Sequence, residues 1–247
     1  MVALVGIYIL IDLNAKTTLN MIQLYTKSFL YYSKYINNDS EGFIMDEIKT
    51  GTTTIGMIYK DGVVLAADKK VSEGNIALAT FEKIDKLSDS MGITMAGSVA
   101  DVQALIKIMQ SEIALYEVRS GTRMKTKAAV GLFATILFNN RMGLIGSAFI
   151  VGGYDTKPEL YILDTAGSKI PDKYTSIGSG SVISLGVMEA EYKDNMTEEE
   201  AIKLAHKSIA ASTRRDVFTG NGIDIVIVDK KGYRKLTEAD MSKILSK

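Results

Sequence analysis

The 247-residue sequence contains no cysteine, no tryptophan, two prolines and a single histidine, His206. Without cysteine the chain has no disulfide, no thiolate metal site and no cysteine nucleophile. One histidine excludes a cluster of imidazole ligands and leaves at most one histidine base. If the chain is an enzyme, we therefore expect its general base to be something other than histidine.

The sequence also lacks net charge, because 29 basic residues balance 29 acidic ones. A neutral chain has no electrostatic attraction to nucleic acid or anionic membranes, so we expect neither as a partner. The apolar run Val2–Leu13 is interrupted by Asp12 and is shorter than the roughly 20 residues of a membrane span. With 47% hydrophobic and 23% charged residues, the composition is that of a globular protein with a large core.

Residues 1–44 differ from the rest of the chain. No basic residue precedes their apolar run and no clear cleavage site follows it, so they do not resemble a secretory signal. Three interpretations remain open: upstream codons read from a mis-assigned start with Met45 as the true beginning, a long propeptide, or an ordinary N-terminal element. The short polar sequence MDEIKTG favours the first.

After residue 50, the hydrophobic pattern alternates between strands and pairs of helices. It predicts strands at 52–59, 63–67, 92–96, 149–152, 160–163, 223–228 and 233–236. It predicts helices at 102–118 behind an N-cap at Asp101, and at 127–139, 181–192, 197–212 and 238–245, with a Thr197–Glu200 capping box. Gly62 is expected to supply a positive φ in the first hairpin turn. Paired helices between hairpins predict an α+β sandwich of antiparallel sheets, in one domain over 52–247.

The run Gly51-Thr52-Thr53-Thr54 is the sharpest local motif. Three threonines often reflect nothing more than β-propensity. A small residue before a hydroxyl residue also suits self-cleavage, in which the hydroxyl attacks the preceding carbonyl and an N-to-O acyl shift frees the amine. Such an α-amine has a pKa of about 7.7–8.0 and can accept a proton near neutral pH. This chemistry requires neither histidine nor cysteine.

From Gly51 to Lys247 the chain resembles archaeal-type 20S proteasome β subunits, which are N-terminal-nucleophile hydrolases. TTTIGMIYKDGVVLAADKKVSEG is similar to the family's opening hairpin. The resemblance implies a four-layer αββα sandwich and a threonine endopeptidase that degrades unfolded proteins in the cytoplasm. It also implies a homo- or hetero-heptameric β ring, capping rings of α subunits, and a regulatory ATPase acting through the α ring. It implies no cofactor and no metal.

The resemblance assigns roles residue by residue. Thr52 falls at the nucleophile position and is exposed by cleavage after Gly51, so residues 1–51 form a leader and the uncleaved precursor is inactive. Asp68, in AADKK, matches the carboxylate that orients the catalytic lysine, and Lys83, in FEKIDKL, matches that lysine. Gly97, in MAGSVAD, matches the residue whose backbone N–H stabilises the oxyanion.

Lys86 competes with Lys83 for the lysine position. Lys83 is favoured because it precedes Gly97 by 14 residues, which is the family's spacing. Its distance from Asp68 is one residue shorter than the family's, which places a deletion near Glu73–Asn75.

Two further motifs match the residues that hold the N-terminal amine. Ser179 lies in SIGSGSV and Asp216 in RRDVFTG, where Thr219 stands at a position that is usually serine. His206 matches no catalytic position and is interpreted as structural. Four apolar residues are expected to line the pocket for the residue before the cut, or alternatively to be ordinary core: Val71, Phe81, Met95 and Val99.

Three alternatives remain beside the catalytic β subunit. They are a β subunit that is never processed and only builds the ring, a bacterial two-ring relative driven by a separate ATPase, and a peptide-binding chamber wall. The Gly51-Thr52 junction and Lys83 argue against the first. The GSGS and RRD-x-x-T-G patterns favour the proteasome over the second. Each motif is weak alone, and their joint occurrence in order carries the prediction.

Overall fold

Twelve strands and five helices form within residues 51–73, 76–141 and 147–246, which the computed structural model describes. The strands are β1 (Thr54–Tyr59), β2 (Gly62–Asp68), β3 (Lys70–Glu73), β4 (Ile76–Thr80), β5 (Ile84–Ser88), β6 (Met91–Ala96), β7 (Ala148–Tyr154), β8 (Pro158–Asp164), β9 (Lys169–Pro171), β10 (Tyr174–Ile177), β11 (Ile223–Asp229) and β12 (Gly232–Lys235). The helices are α1 (Val99–Ser120), α2 (Thr126–Asn140), α3 (Ser181–Glu191), α4 (Glu198–Thr213) and α5 (Glu238–Leu245). Apart from Gly51, the predicted leader lies outside the described residues, and so do residues 74 and 75 of the predicted deletion.

The strands of this region form two five-stranded antiparallel sheets and a separate β3–β4 hairpin. One sheet has the order β10-β1-β2-β11-β12 and the other β5-β6-β7-β8-β9. In the first sheet, Thr54 of β1 pairs with Ala67 of β2, and Asp68 at the end of β2 pairs with Ile223 of β11. The residues just before β1 therefore lie beside the end of β2.

The period-two alternation of β2 shows how the layers are held together. Val63 and Leu65 pack between the two sheets, whereas Val64 and Ala66 pack against α3 and α4. A third cluster lies between α1, α2 and the other sheet, where Phe133 meets Phe149 edge-on with ring centroids 4.9 Å apart. The order is helices, sheet, sheet, helices. The predicted α+β sandwich of four layers is confirmed.

All five predicted helices are present, with boundaries within three residues of those predicted. The Thr197–Glu200 capping box is present, and the last helix has the predicted limits. The N-cap prediction at Asp101 is wrong, because α1 begins at Val99 with Ser98 as its N-cap. Asp101 lies in the first turn, where a negative charge is also favourable, so the two positions attract the same residue type. No helix in the described part of the chain is long and apolar enough to cross a membrane.

Two details of the first hairpin differ from the prediction. Gly62 is not among the described residues with positive φ. It is required instead by close approach, because a Cβ there would lie 2.5 Å from the Val228 carbonyl oxygen. β1 begins at Thr54 rather than Thr52, since the Thr53 N–H donates to the side chain of Asp68. Beyond this hairpin, the sequence pattern missed five of the described strands: β3, β4, β5, β9 and β10.

Candidate active site

Asp68 is a buried carboxylate that backbone hydrogen bonds hold in one orientation within the candidate site. Its side chain is fully buried, and its Oδ1 accepts the Thr53 N–H at 2.9 Å. Its Oδ2 accepts the backbone N–H groups of Lys70 at 3.0 Å and Gly220 at 2.9 Å. A buried carboxylate needs such donors to compensate for lost hydration. Three backbone segments therefore fix its orientation.

The Thr52 hydroxyl lies between Asp68 and Lys83. Thr52 Oγ1 donates to Asp68 Oδ1 at 2.8 Å and accepts a hydrogen bond from Lys83 Nζ. Lys83 Nζ also forms an ion pair with Asp68 Oδ1 at 2.7 Å. Burial lowers the pKa of Lys83 below its ordinary value, and the opposing effect of the Asp68 charge is smaller. The ammonium group that contacts the hydroxyl therefore gives up its proton more readily than an exposed lysine does.

The Thr52 nitrogen meets a second set of polar groups. It donates to Ser179 Oγ at 3.1 Å, and Ser179 donates to Asp216 Oδ2 at 2.6 Å. Thr219 Oγ1 donates to the same oxygen at 2.5 Å. Ser179 lies between β10 and α3, while Asp216 and Thr219 follow α4. The loop before α3 and the loop after α4 thus supply the polar groups around the Thr52 nitrogen.

A cavity of about 120 Å³ opens beside Thr52 and Lys83. All four residues predicted for the pocket line it: Val71, Phe81, Met95 and Val99. Lys70, Ser72 and Val102 also line it and were missed. Lys70 and Ser72 belong to β3, a strand whose mixed polar sequence gave no clear period, so the sequence offered no signal for them.

Lys86 and His206 lie elsewhere. Lys86 Nζ pairs with Asp89 at 2.6 Å on the surface, so Lys83 is the lysine that contacts Thr52. His206 is half-buried on α4 and lines a different cavity, together with Lys69 and Arg214. Neither residue takes part in the candidate site.

Gly97 also lines the cavity, at the end of β6, with φ of +132°. A Cβ there would lie 2.7 Å from Ser147 Cα. We expect Gly97→Ala to lower the free energy of unfolding by about 2–5 kcal/mol, through backbone strain and overpacking. The matched control is Gly121→Ala, because Gly121 has φ of +65° and a Cβ there would meet nothing within 4 Å.

Urea unfolding of the isolated chain separates the two effects, since Gly121→Ala introduces strain alone, about 1–2 kcal/mol. Equal losses in the two variants would contradict the close contact with Ser147.

Comparison with known proteins assigns this sequence to a family. The family described as "Proteasome subunit" matches residues 48–228, a segment that contains every candidate site residue. The chain belongs to the proteasome subunit family. It is 42% identical over 202 residues to the proteasome subunit beta 1 of Thermococcus onnurineus, covering 81% of this chain and 100% of that protein.

Two further proteasome β subunits are similar to this chain at comparable identity. The proteasome subunit beta 2 of Pyrococcus abyssi is 41% identical over 196 residues, covering 79% of this chain and 95% of that protein. The proteasome subunit beta of Methanobrevibacter smithii is 41% identical over 204 residues, covering 82% and 98%. Three archaeal proteasome β subunits thus align with this chain over nearly their whole lengths.

Proposed function

We propose that this chain is a catalytic β subunit of a 20S-type proteasome, with Thr52 as its N-terminal nucleophile. The observation that carries the proposal is the contact of the Thr52 hydroxyl with both Asp68 and Lys83, beside a cavity. These three side chains are at most 6% exposed. A buried lysine and carboxylate on one hydroxyl form an arrangement that activates a nucleophile.

Maturation is the first reaction in this proposal. The Thr52 hydroxyl attacks the carbonyl carbon of Gly51, the bond between Gly51 and the Thr52 nitrogen breaks, and the acyl group passes to Thr52 Oγ1. Water then hydrolyses the ester and releases residues 1–51. The domain 52–247 remains, with a free α-amine beside Ser179.

Peptide hydrolysis uses the amine that maturation creates. The α-amine takes the hydroxyl proton of Thr52 and returns it to the leaving amine of the substrate. Lys83, paired with Asp68, stabilises the developing negative charge on Oγ1. The Gly97 N–H stabilises the oxyanion, a contact worth about 3 kcal/mol in other hydrolases. An acyl-enzyme ester forms on Thr52, and water releases it.

The cavity is the proposed site for the substrate side chain before the scissile bond, and its lining favours apolar residues. We expect Val99→Phe to reduce kcat/KM about tenfold for peptides with a large apolar residue there, because the ring fills the cavity. Peptides with alanine at that position are expected to be affected less. Steady-state hydrolysis of paired fluorogenic peptides measures the difference.

The control for this variant is Val118→Phe on the same helix, because Val118 is 83% exposed and does not line the cavity. If Val99→Phe lowered both peptides equally, the cavity would not be the specificity pocket.

The likeness to proteasome β subunits supports an assembly as well as a reaction. We place the chain in a homo- or hetero-heptameric β ring, capped by α subunits that a regulatory ATPase engages, with unfolded proteins in the cytoplasm as substrates. Enclosure of the sites inside such a particle restricts a broad protease to chains that are delivered to it.

The test is to co-express the full chain with an α subunit of the same organism and to purify the assembled particle. Intact mass and N-terminal sequencing are expected to show a chain that begins at Thr52, in a particle that hydrolyses apolar peptides. A chain that still carries residues 1–51 in a complete, inactive particle would favour the structural β subunit. A chain that begins at Thr52 without hydrolysis would refute the endopeptidase assignment.

A further inference from the structure

Thr53 is a buried hydroxyl residue to which the sequence motifs assign no role. Its side chain is 0% exposed, and its Oγ1 lies 2.7 Å from Thr219 Oγ1. A Cβ at Gly180 would lie 2.1 Å from the same oxygen, so the backbone of the loop before α3 passes directly over it. The Thr53 hydroxyl is therefore confined to one place by its packing.

The proton count fixes the direction of this hydrogen bond. A threonine hydroxyl has one proton to donate. Thr219 donates its proton to Asp216 Oδ2 at 2.5 Å, because the carboxylate can only accept. Thr219 must therefore accept from Thr53, which makes Thr53 the donor at the start of a chain that ends on Asp216.

The same residue is also tied to the other carboxylate of the site. The Thr53 backbone N–H donates to Asp68 Oδ1, the oxygen that also contacts Thr52 and Lys83. Thr53 therefore links the carboxylate at the Thr52 hydroxyl with the carboxylate at the Thr52 nitrogen. Asp216 reaches that nitrogen through Ser179.

We propose that Thr53 is a positioning residue for the reaction, whose hydroxyl orients Thr219 and through it Asp216 and Ser179 around the Thr52 amine. This inference rests on the proposed function. Thr219 is β-branched and has few χ1 rotamers, so its oxygen stays between Thr53 and Asp216. The Thr53–Thr219 hydrogen bond therefore has one fixed geometry. Its removal is expected to loosen Asp216 and Ser179 around the Thr52 amine.

The test compares Thr53→Val with Thr53→Ser in the assembled particle. Valine keeps the shape but removes the donor, so we expect kcat to fall about tenfold while KM changes less than about twofold. Serine keeps the hydroxyl and is expected to retain kcat within about twofold of wild type. Self-cleavage, followed by intact mass, is expected to keep its wild-type rate in both variants, because the Thr52 nitrogen is still part of an amide at that stage and accepts no proton.

Thr54→Val is the matched control. Thr54 is equally buried and bonds Thr94 Oγ1 at 2.9 Å, a threonine pair that does not reach Asp216. Its loss removes the same kind of hydrogen bond, and we expect kcat to be unchanged. Wild-type kcat in Thr53→Val, or an equal fall in Thr53→Ser or Thr54→Val, would overturn the inference.

Assembly is checked for each variant by native mass spectrometry. If Thr53→Val does not assemble, Thr53→Ala replaces it against the same serine variant. If neither assembles while serine does, the hydroxyl is needed for folding and the positioning role is refuted. The proposed function fails differently, in a wild-type particle that neither loses residues 1–51 nor hydrolyses peptides.

Discussion

We expect Thr52→Ala to leave residues 1–51 attached and to lower peptide hydrolysis by about 10⁴-fold or more, to background. The physical reason is that, in the proposed mechanism, one hydroxyl serves both reactions, so its removal is expected to stop maturation and hydrolysis together. Intact mass and a fluorogenic peptide assay on the assembled particle measure both effects. Since the Thr52 side chain is 6% exposed and small, alanine fits and the fold is retained.

Thr52→Ser is the matched variant, because it keeps the oxygen that contacts Asp68 and Lys83 and removes only the methyl group. We expect it to mature and to retain hydrolysis within about tenfold of wild type. Maturation of Thr52→Ala at the normal rate would contradict the nucleophile assignment, and so would loss of both activities in the serine variant.

The layered fold was predictable because its central strands carry strong local signals. TTTIGMIY and VVLAA are apolar and β-branched, and paired amphipathic helices separate the hairpins. The missed strands lack these signals. β5 has the sequence IDKLS and β9 the exposed sequence KIP, and both become strands through pairing with β6 and β8. Tertiary pairing, rather than intrinsic propensity, decides such segments.

The sequence predicted which residues form the candidate site but not how they are arranged in space. Thr52 lies 31 residues from Lys83 and 127 from Ser179 in the chain, and no local rule brings such distant positions together. The likeness to a known family supplied the positions. The Thr53–Thr219 hydrogen bond was not predicted. In the sequence, a threonine in a threonine-rich run indicates no more than β-propensity, and the partner of its hydroxyl depends on the folded geometry.

Two carboxylates lie on different sides of Thr52. Asp68 is fully buried and meets the hydroxyl and Lys83, whereas Asp216 meets the nitrogen through the exposed hydroxyl of Ser179. Before maturation that nitrogen belongs to an amide and cannot act as a base. Under the proposed function, self-cleavage therefore takes its base from the other side of Thr52, where Lys83 is the amine in contact with Oγ1.

We expect Lys83→Arg to abolish self-cleavage at every pH, because a guanidinium stays protonated and cannot accept the hydroxyl proton. In the wild-type chain the rate is expected to rise with pH, since raising the pH through the pKa of Lys83 increases its neutral fraction. Burial lowers that pKa, so the midpoint falls below the ordinary value of 10.5. Time courses of intact mass on the purified precursor, across a series of pH values, give the profile.

Lys86→Arg is the control, because Lys86 pairs with Asp89 at the surface and has no contact with Thr52. It is expected to keep both the rate and the midpoint of the wild-type chain. Self-cleavage of Lys83→Arg at the wild-type rate would show that the proton leaves Thr52 by another route. A wild-type midpoint at or above 10.5 would show that Asp68 holds Lys83 in its charged form more strongly than burial opposes it. Only the first of these results would make Lys83 a fixed positive charge rather than the base.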